Sequence, residues 1–385
     1  MTGGRSVLIA DCTLREGEQQ PGIVLDSEAK VRIGERLADL GIVRAEIGTP
    51  AVSEGERAAV AAVVRSGAIA ETVVVCRAKK EDVELAAECG VWGVVVSSPV
   101  SPFQLEHKLH MTIEQVIERV LEVHEHARTL GLKTFASAYD SFRTPEESLR
   151  QIYEALGDAG MVDGVRLVDT VGVATPERAA ALVAYLASFV TVPIEVHFHD
   201  DFGLAMANAV ASVAAGAEVS SSIAGVGERA GNVATEEIAA ALHFRLGLDT
   251  GLHMSRLAPV CRDITRELGL SVSPNKAVFG RNAFRHVAGL TVGGFLHDPL
   301  VAQPLHAEEL GATSEIALGK VSGKDALEFA LRRIGIDPAA LDHGALLDEV
   351  KRTSEETRRL VSDSELIRIV RRMSSDQGDK ENQDA

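Results

Sequence analysis

Apolar positions along the chain follow two alternating rhythms. Short runs rich in β-branched residues stand at 7–10, 45–48, 72–76, 93–97, 133–138, 164–168, 194–199 and 219–224. Between them the apolar residues recur with the helical period, as in 26–40, 112–130, 145–159, 176–189 and 204–215. Strands of this length alternating with helices predict parallel βα units. Eight such units in about 250 residues predict a closed (β/α)8 TIM barrel, an α/β fold. The rival, an open doubly wound sheet, normally places a G-x-G-x-x-G turn after its first strand. Here that position holds Asp11-Cys12-Thr13-Leu14-Arg15-Glu16, which favours the barrel.

Past the barrel the rhythm breaks, so the fold class carries a C-terminal irregular plus helical extension. The expected organisation is a catalytic barrel over 1–255, a linker subdomain over 256–325, a small helical subdomain over 326–373 and a disordered polar tail over 374–385. Composition adjusts this picture little: 46 % hydrophobic and 25 % charged residues are ordinary for a globular protein. The 39 Lys and Arg against 56 Asp and Glu give a net charge of −17, which argues against nucleic acid or an anionic membrane as partner. A local basic pocket for an anionic substrate remains compatible with it. No apolar run is long enough to span a membrane, and the first residues lack the apolar core of a signal peptide. Cys12, Cys76, Cys89 and Cys261 have no C-x-x-C spacing, so free thiols and a cytoplasmic location are expected.

In a TIM barrel the chemistry sits where strands end at the C-terminal face. Along 194–199 successive side chains alternate faces, so Glu195, His197 and His199 point the same way. Two imidazoles at i, i+2 on a strand end suit a divalent metal, with a pair of hydrogen-bonded core histidines as the plainer alternative. Glu16, just after the first strand, is the candidate third ligand. One carboxylate and two imidazoles leave positions open for a substrate with adjacent oxygen donors, such as a 2-oxo acid. Arg15 would then stabilise the oxyanion developing on that carbonyl, unless it forms only a structural salt bridge. The helical His124 and His126 read as diverging, solvated side chains. Three glycines in 225–231 allow backbone to approach something closely.

The segments DCTLREGEQQ (11–20), VDTVG (168–172), EVHFHDDFG (195–203), GVGERAGNV (225–233) and LGKVSGK (318–324) together resemble the homocitrate synthase and 2-isopropylmalate synthase family, the Claisen-condensing branch of the DRE-TIM metallolyases. The resemblance covers nearly the whole chain. It implies condensation of acetyl-CoA, as co-substrate, with a 2-oxo acid, followed by thioester hydrolysis, at a divalent Mg, Mn or Zn ion. It also implies a homodimer whose C-terminal segments reach over each other's sites. Carried over by position, Glu16, His197 and His199 match the metal ligands and Arg15 the carbonyl-polarising arginine. Thr170 matches the residue contacting the substrate carboxylate, and Asn232 an asparagine near the metal. Asp11, Gln19, Gln104, Phe135, Ser137 and Glu195 complete the expected substrate-binding set.

Several positions depart from the family pattern. Tyr139 stands where a proton-handling glutamate is usual, and Phe135 where homocitrate synthases carry an arginine for a distal carboxylate. Gln104 replaces a frequent histidine. Thr291 and Ala302 occupy the places of the usual second histidine and tyrosine, leaving Tyr139 and His286 as the expected proton-transfer residues, since neither Thr nor Ala serves as a base near neutral pH. The expected activity is therefore a metal-dependent acyltransferase acting on a non-standard 2-oxo acid. A CoA-independent aldolase or lyase at the same metal site, and a non-catalytic binding paralogue, are the alternatives.

Overall fold

The structure, a computed structural model, describes residues 5–381. Eight strands, β1 (Ile9–Asp11), β2 (Arg44–Glu46), β3 (Glu71–Arg77), β4 (Gly93–Pro99), β5 (Lys133–Tyr139), β6 (Gly164–Asp169), β7 (Ile194–Phe198) and β8 (Glu218–Ser221), form a closed barrel in sequence order. Every pair is parallel, and β8 returns to β1 with Ser221 opposite Asp11. The strands are buried on both faces, which is why they read as near-continuous apolar runs.

Eight helices complete the units: α1 (Ser27–Leu40), α2 (Glu54–Ser66), α3 (Lys80–Glu88), α4 (Ile113–Thr129), α5 (Glu146–Asp158), α6 (Pro176–Ala187), α7 (Ala205–Ala214) and α8 (Thr235–Leu246). Their ends follow local chemistry. Asp26 caps α1 by accepting from the Ala29 amide at 2.8 Å, and the helix stops at Gly41, whose φ of 100° suits glycine. Helix α4 begins with a capping box between Thr112 and Gln115.

His124 corrects the sequence reading. It lies on the buried stripe of α4 with Val116, Val120, Val123 and Ala127, and neither ring nitrogen has a hydrogen-bond partner. Burial pushes its pKa down to about 4, so the ring is neutral. His126, on the other side, is the solvent-facing one and pairs with Glu84 at 3.0 Å.

The first compact unit ends at Val272, beyond the expected boundary at 255. The reason is α9 (Leu257–Glu267), which packs on α1 and is tied to it by an Arg32–Glu267 ion pair at 2.5 Å. The second unit, Ser273–Ala385, holds a short parallel pair, β9 (Arg285–His286) and β10 (Glu315–Ile316). With them come α10 (Gly289–His297), α11 (Lys324–Arg333), α12 (His343–Thr357) and α13 (Asp363–Glu381). Val292, Phe295 and Ile316 share one core with Leu327, Leu346, Val350 and Leu366. Residues 273–325 of the expected linker and those read as a separate helical subdomain are thus one packed body, while 256–272 belong to the barrel unit. Residues 374–381 continue α13, where the sequence suggested a disordered tail, and 382–385 lie outside the described residues. No helix among the described residues is long and apolar enough to cross a membrane, and all four cysteines are buried and outside any disulfide.

Candidate active site

The site begins at the end of β1, where the chain turns through Thr13–Glu16. Asp11 shapes that turn: its carboxylate accepts from the Thr13 amide at 2.8 Å and the Thr13 hydroxyl at 3.0 Å. Burial raises the Asp11 pKa to about 7. Asp11 therefore holds backbone and does not line the cavity. The turn delivers Arg15 and Glu16 side by side, in direct ion-pair contact with each other.

On β7, strand alternation brings His197 to the cavity, and His199 follows just past the strand. Ligand atoms of Glu16, His197 and His199 all lie within 4.8 Å of one another, and all three residues are buried. His197 Nδ1 meets the Ser220 hydroxyl at 3.1 Å, and its Nε2 accepts from the Asn232 amide at 3.1 Å. His199 Nε2 lies 3.9 Å from Glu16 Oε1. Burial lowers both histidine pKa values, with neighbouring cationic groups lowering that of His197 further. Neutral imidazoles are the ligand form. Glu16 Oε2 is engaged by Arg15 and by Gln19 at 3.2 Å, so Oε1 is the oxygen turned to the histidines. Two buried polar atoms beside this set, His199 Nδ1 and Asn232 Oδ1, have no partner. A converging carboxylate, two neutral imidazoles and an unsatisfied amide oxygen fit a divalent cation.

The glycines of 225–231 perform the close approach expected of them. Gly227 has no room for a Cβ because the Asn232 side chain and Glu16 occupy the space. Gly225 and Gly231, at φ 74° and 88°, fold the loop back so that the Asn232 amide reaches the Gly225 carbonyl at 2.9 Å.

Beneath the metal-ligand set runs a buried ion-pair network that sequence reasoning missed. Glu46, ending β2, accepts from Arg15 Nε at 2.7 Å and contacts Arg166 of β6. Arg166 in turn donates to Glu195 at 2.5 Å. Burial alone would raise the Glu46 pKa, but the two guanidiniums hold it below the usual carboxylate range. Glu195 accordingly secures Arg166 and is not among the residues lining the cavity. The signal is present in the sequence: charged residues at alternate positions inside otherwise apolar strands.

A cavity of about 220 Å³ opens above this network. Arg15, Gln19, Ser137, Tyr139 and Thr170 line it together with the metal-ligand set. Thr170 Oγ1 accepts from the Asp140 amide at 2.9 Å, which leaves its own proton free to donate. Burial, then Glu228 and Asp140, raise the Tyr139 pKa above its ordinary value, so its phenol is a neutral donor. Asn232 reaches the set through His197. Phe135 does not line the cavity. It lies one pleat repeat below Ser137, its ring 5.8 Å from Trp92 and 4.7 Å from the Arg44 guanidinium, in space that a Cβ on Gly164 would fill. Gln104 also stays outside the cavity's lining, on a short turn capped by Ser101. His286 belongs to the second unit. Its Nε2 accepts from Gln303 at 2.9 Å, its ring lies 4.6 Å from Phe295, and burial lowers its pKa.

Comparison with known proteins places this geometry. Residues 6–264 match the HMGL-like family, and 278–358 match the homocitrate synthase post-HMGL domain-like family, one within each compact unit. The homocitrate synthase AksA of Methanopyrus kandleri is 39 % identical over 97 % of this chain and 94 % of its own. The protein named "Probable 2-isopropylmalate synthase" of Ignicoccus hospitalis is 39 % identical over 93 % and 90 %. The (R)-citramalate synthase CimA of Methanocaldococcus jannaschii is 36 % identical over 96 % and 75 %. Among solved structures, a hydroxymethylglutaryl-CoA lyase of Pseudomonas aeruginosa superposes with a TM-score of 0.61 at 26 % identity, covering 70 % of this chain and 96 % of that one. The chain belongs to the homocitrate synthase and 2-isopropylmalate synthase family, and is an acyltransferase of that kind.

Proposed function

We propose that the protein condenses acetyl-CoA with a 2-oxo acid and hydrolyses the resulting thioester, giving a 2-substituted malate. The observation that carries this reading is the convergence of Glu16, His197 and His199 beside the paired Arg15 guanidinium. Bound by those three residues, a divalent cation would polarise the carbonyl of the 2-oxo acid. Arg15, held by Glu46 and Glu16, supplies donors toward the oxygen that gains charge. The Thr170 hydroxyl, its lone pair taken by the Asp140 amide, donates to the substrate carboxylate.

In the reaction the acetyl methyl gives up a proton, its carbon bonds to the carbonyl carbon, and the carbonyl oxygen takes a proton. Water then cleaves the thioester and CoA leaves as the thiol. Tyr139 is suited to donating a proton or hydrogen bond, because its raised pKa keeps the phenol neutral. We assign the proton abstraction to His286, the residue that the family pattern leaves once Thr291 and Ala302 replace the usual pair. Burial favours its neutral ring, and the Gln303 side chain that now occupies Nε2 must release that lone pair for the step. Free-thiol release from acetyl-CoA, measured with a panel of 2-oxo acids on metal-containing protein, tests both assignments. The expected outcome is acceptor-dependent thiol release that His286→Ala lowers by about a hundredfold or more. No release with any acceptor refutes the condensation; wild-type rates in His286→Ala refute only the base.

A further inference from the structure

Arg229 holds a backbone conformation that is costly for an arginine. Its φ of 57° lies in the left-handed region, which costs a residue with a Cβ about 1–2 kcal/mol. Gly227 and Gly231 flank it in the loop after β8, yet this position carries a long side chain in place of another glycine. From that backbone the guanidinium reaches across the barrel mouth. Nε and Nη2 grip Asp201 at 2.8 and 3.0 Å, and Nη1 meets Glu228 at 2.9 Å. Nη2 also donates to the Thr170 carbonyl at 2.7 Å. One side chain thus ties together the segments that follow β6, β7 and β8.

Ion pairing alone does not account for that strain. The Arg229 side chain is 34 % exposed, and pairs this open contribute about 0–1 kcal/mol. What the clamp secures is Thr170. That residue is fixed at two points, its carbonyl by Arg229 and its hydroxyl oxygen by the Asp140 amide at 2.9 Å. Carbonyl and side chain branch from one Cα, so holding both sets the direction in which the hydroxyl proton points. The turn beyond is seated as closely. A Cβ on Gly172, whose φ is 65°, would stand 2.8 Å from the Asp201 carboxylate and 2.9 Å from its amide nitrogen. Lys108, a cation on the other side of the mouth, differs: its ammonium lies 4.8 Å from the Tyr139 ring centroid and holds no backbone group among the described residues.

We propose that Arg229 is a positioning residue for the acceptor: by clamping Asp201 to the Thr170 carbonyl, it aims the Thr170 hydroxyl at the carboxylate of the 2-oxo acid. Arg229 is not among the residues lining the cavity, so it acts through Thr170 and not on the substrate. This rests on the condensation proposed above.

Arg229→Gly removes the clamp while leaving a residue that takes the left-handed conformation freely. Its kcat and both KM values are read by thiol release on metal-containing protein, with the panel of 2-oxo acids. The assays are repeated with guanidinium chloride well below denaturing concentrations, and with sodium chloride at the same ionic strength. The expected result is an acceptor KM raised about tenfold, equivalent to ~1.4 kcal/mol, with kcat and the KM for acetyl-CoA little changed. Guanidinium, but not sodium, should lower that KM again. Asp201→Asn should reproduce the effect, and the double variant should add nothing further, because both changes remove one clamp. Arg178→Gln, which breaks an exposed pair with Glu146, leaves the acceptor KM unchanged. An unchanged acceptor KM in Arg229→Gly, with the loss confined to the unfolding midpoint or to kcat, overturns the inference while the condensation stands. So does a raised KM that guanidinium does not lower and Asp201→Asn does not reproduce. If no acceptor supports thiol release, the condensation falls, and calorimetry with the same acids decides: binding weakened by Arg229→Gly supports the positioning role, and unchanged or absent binding refutes it.

Discussion

Two walls of the barrel mouth handle charge in opposite ways. On the wall built by β1, β2, β6 and β7, every cation meets a carboxylate: Arg15 touches Glu16 and Glu46, and Arg166 touches Glu46 and Glu195. On the wall built by β3, β4 and α4, Lys79, Lys108 and Arg119 face a chamber without acids. Depth explains the difference. A buried charge without a partner costs several kcal/mol, so the deep wall must be balanced and is thereby locked in place. Exposed ammonium and guanidinium groups keep their water and can stay unpaired until an anion arrives. Groups aimed at a reacting centre belong on the locked wall, where burial and pairing fix their geometry.

Disrupting the locked wall gives the largest expected effects. His199→Ala removes one of three converging ligand residues, so metal retention measured by elemental analysis and thiol release should both fall to background while the barrel still unfolds cooperatively. Full turnover of metal-stripped wild type would instead show that the three residues serve another purpose. Next comes Glu46→Gln, which leaves two buried guanidiniums short of a counter-charge. Breaking a buried pair in this way costs about 3–5 kcal/mol, to be read by denaturant unfolding. A drop in kcat of about 10–100-fold, the usual effect of losing a supporting partner, should accompany it. Unchanged kcat would remove Glu46 from the positioning of Arg15.

The smallest effect concerns a buried group with no partner on either wall. His124 titrates near 6.5 when unfolded and at about 4 when folded. Its contribution is complete above the unfolded value and is lost as pH falls through 6.5 toward 4, because the unfolded chain then binds the proton more tightly. The loss amounts to about 3 kcal/mol at most. His124→Leu should flatten the stability profile between pH 6.5 and 4, measured by urea unfolding. A profile as steep as that of wild type would assign the acid sensitivity to other groups.

Much of this molecule is legible in its amino-acid sequence. All eight strands appear where the β-branched runs stand, because parallel strands buried on both faces have to be continuously apolar. The metal-ligand set is legible because its three members fall on strand ends, where the fold presents chemistry. The spacing of His124 to His126 suggests a solvated ring, whereas its spacing to Val116, Val120 and Val123 marks the apolar stripe of α4, and the stripe prevails. The motif position of Phe135 suggests a ring facing substrate, yet the pleat sets it one repeat below the cavity, against Trp92 and Arg44.

The amino-acid sequence by itself determined the barrel, the convergence of Glu16 with His197 and His199, and the glycines that bring Asn232 close. These depend on periodicity and on backbone conformations that neighbouring residues dictate. Only the tertiary structure decided that Glu46, Arg166 and Glu195 form one network under Arg15, and that Lys108 reaches the face of Tyr139. Those contacts join separate strands and a connecting turn, and their pairing is set by barrel closure and strand register, which no local stretch of sequence encodes.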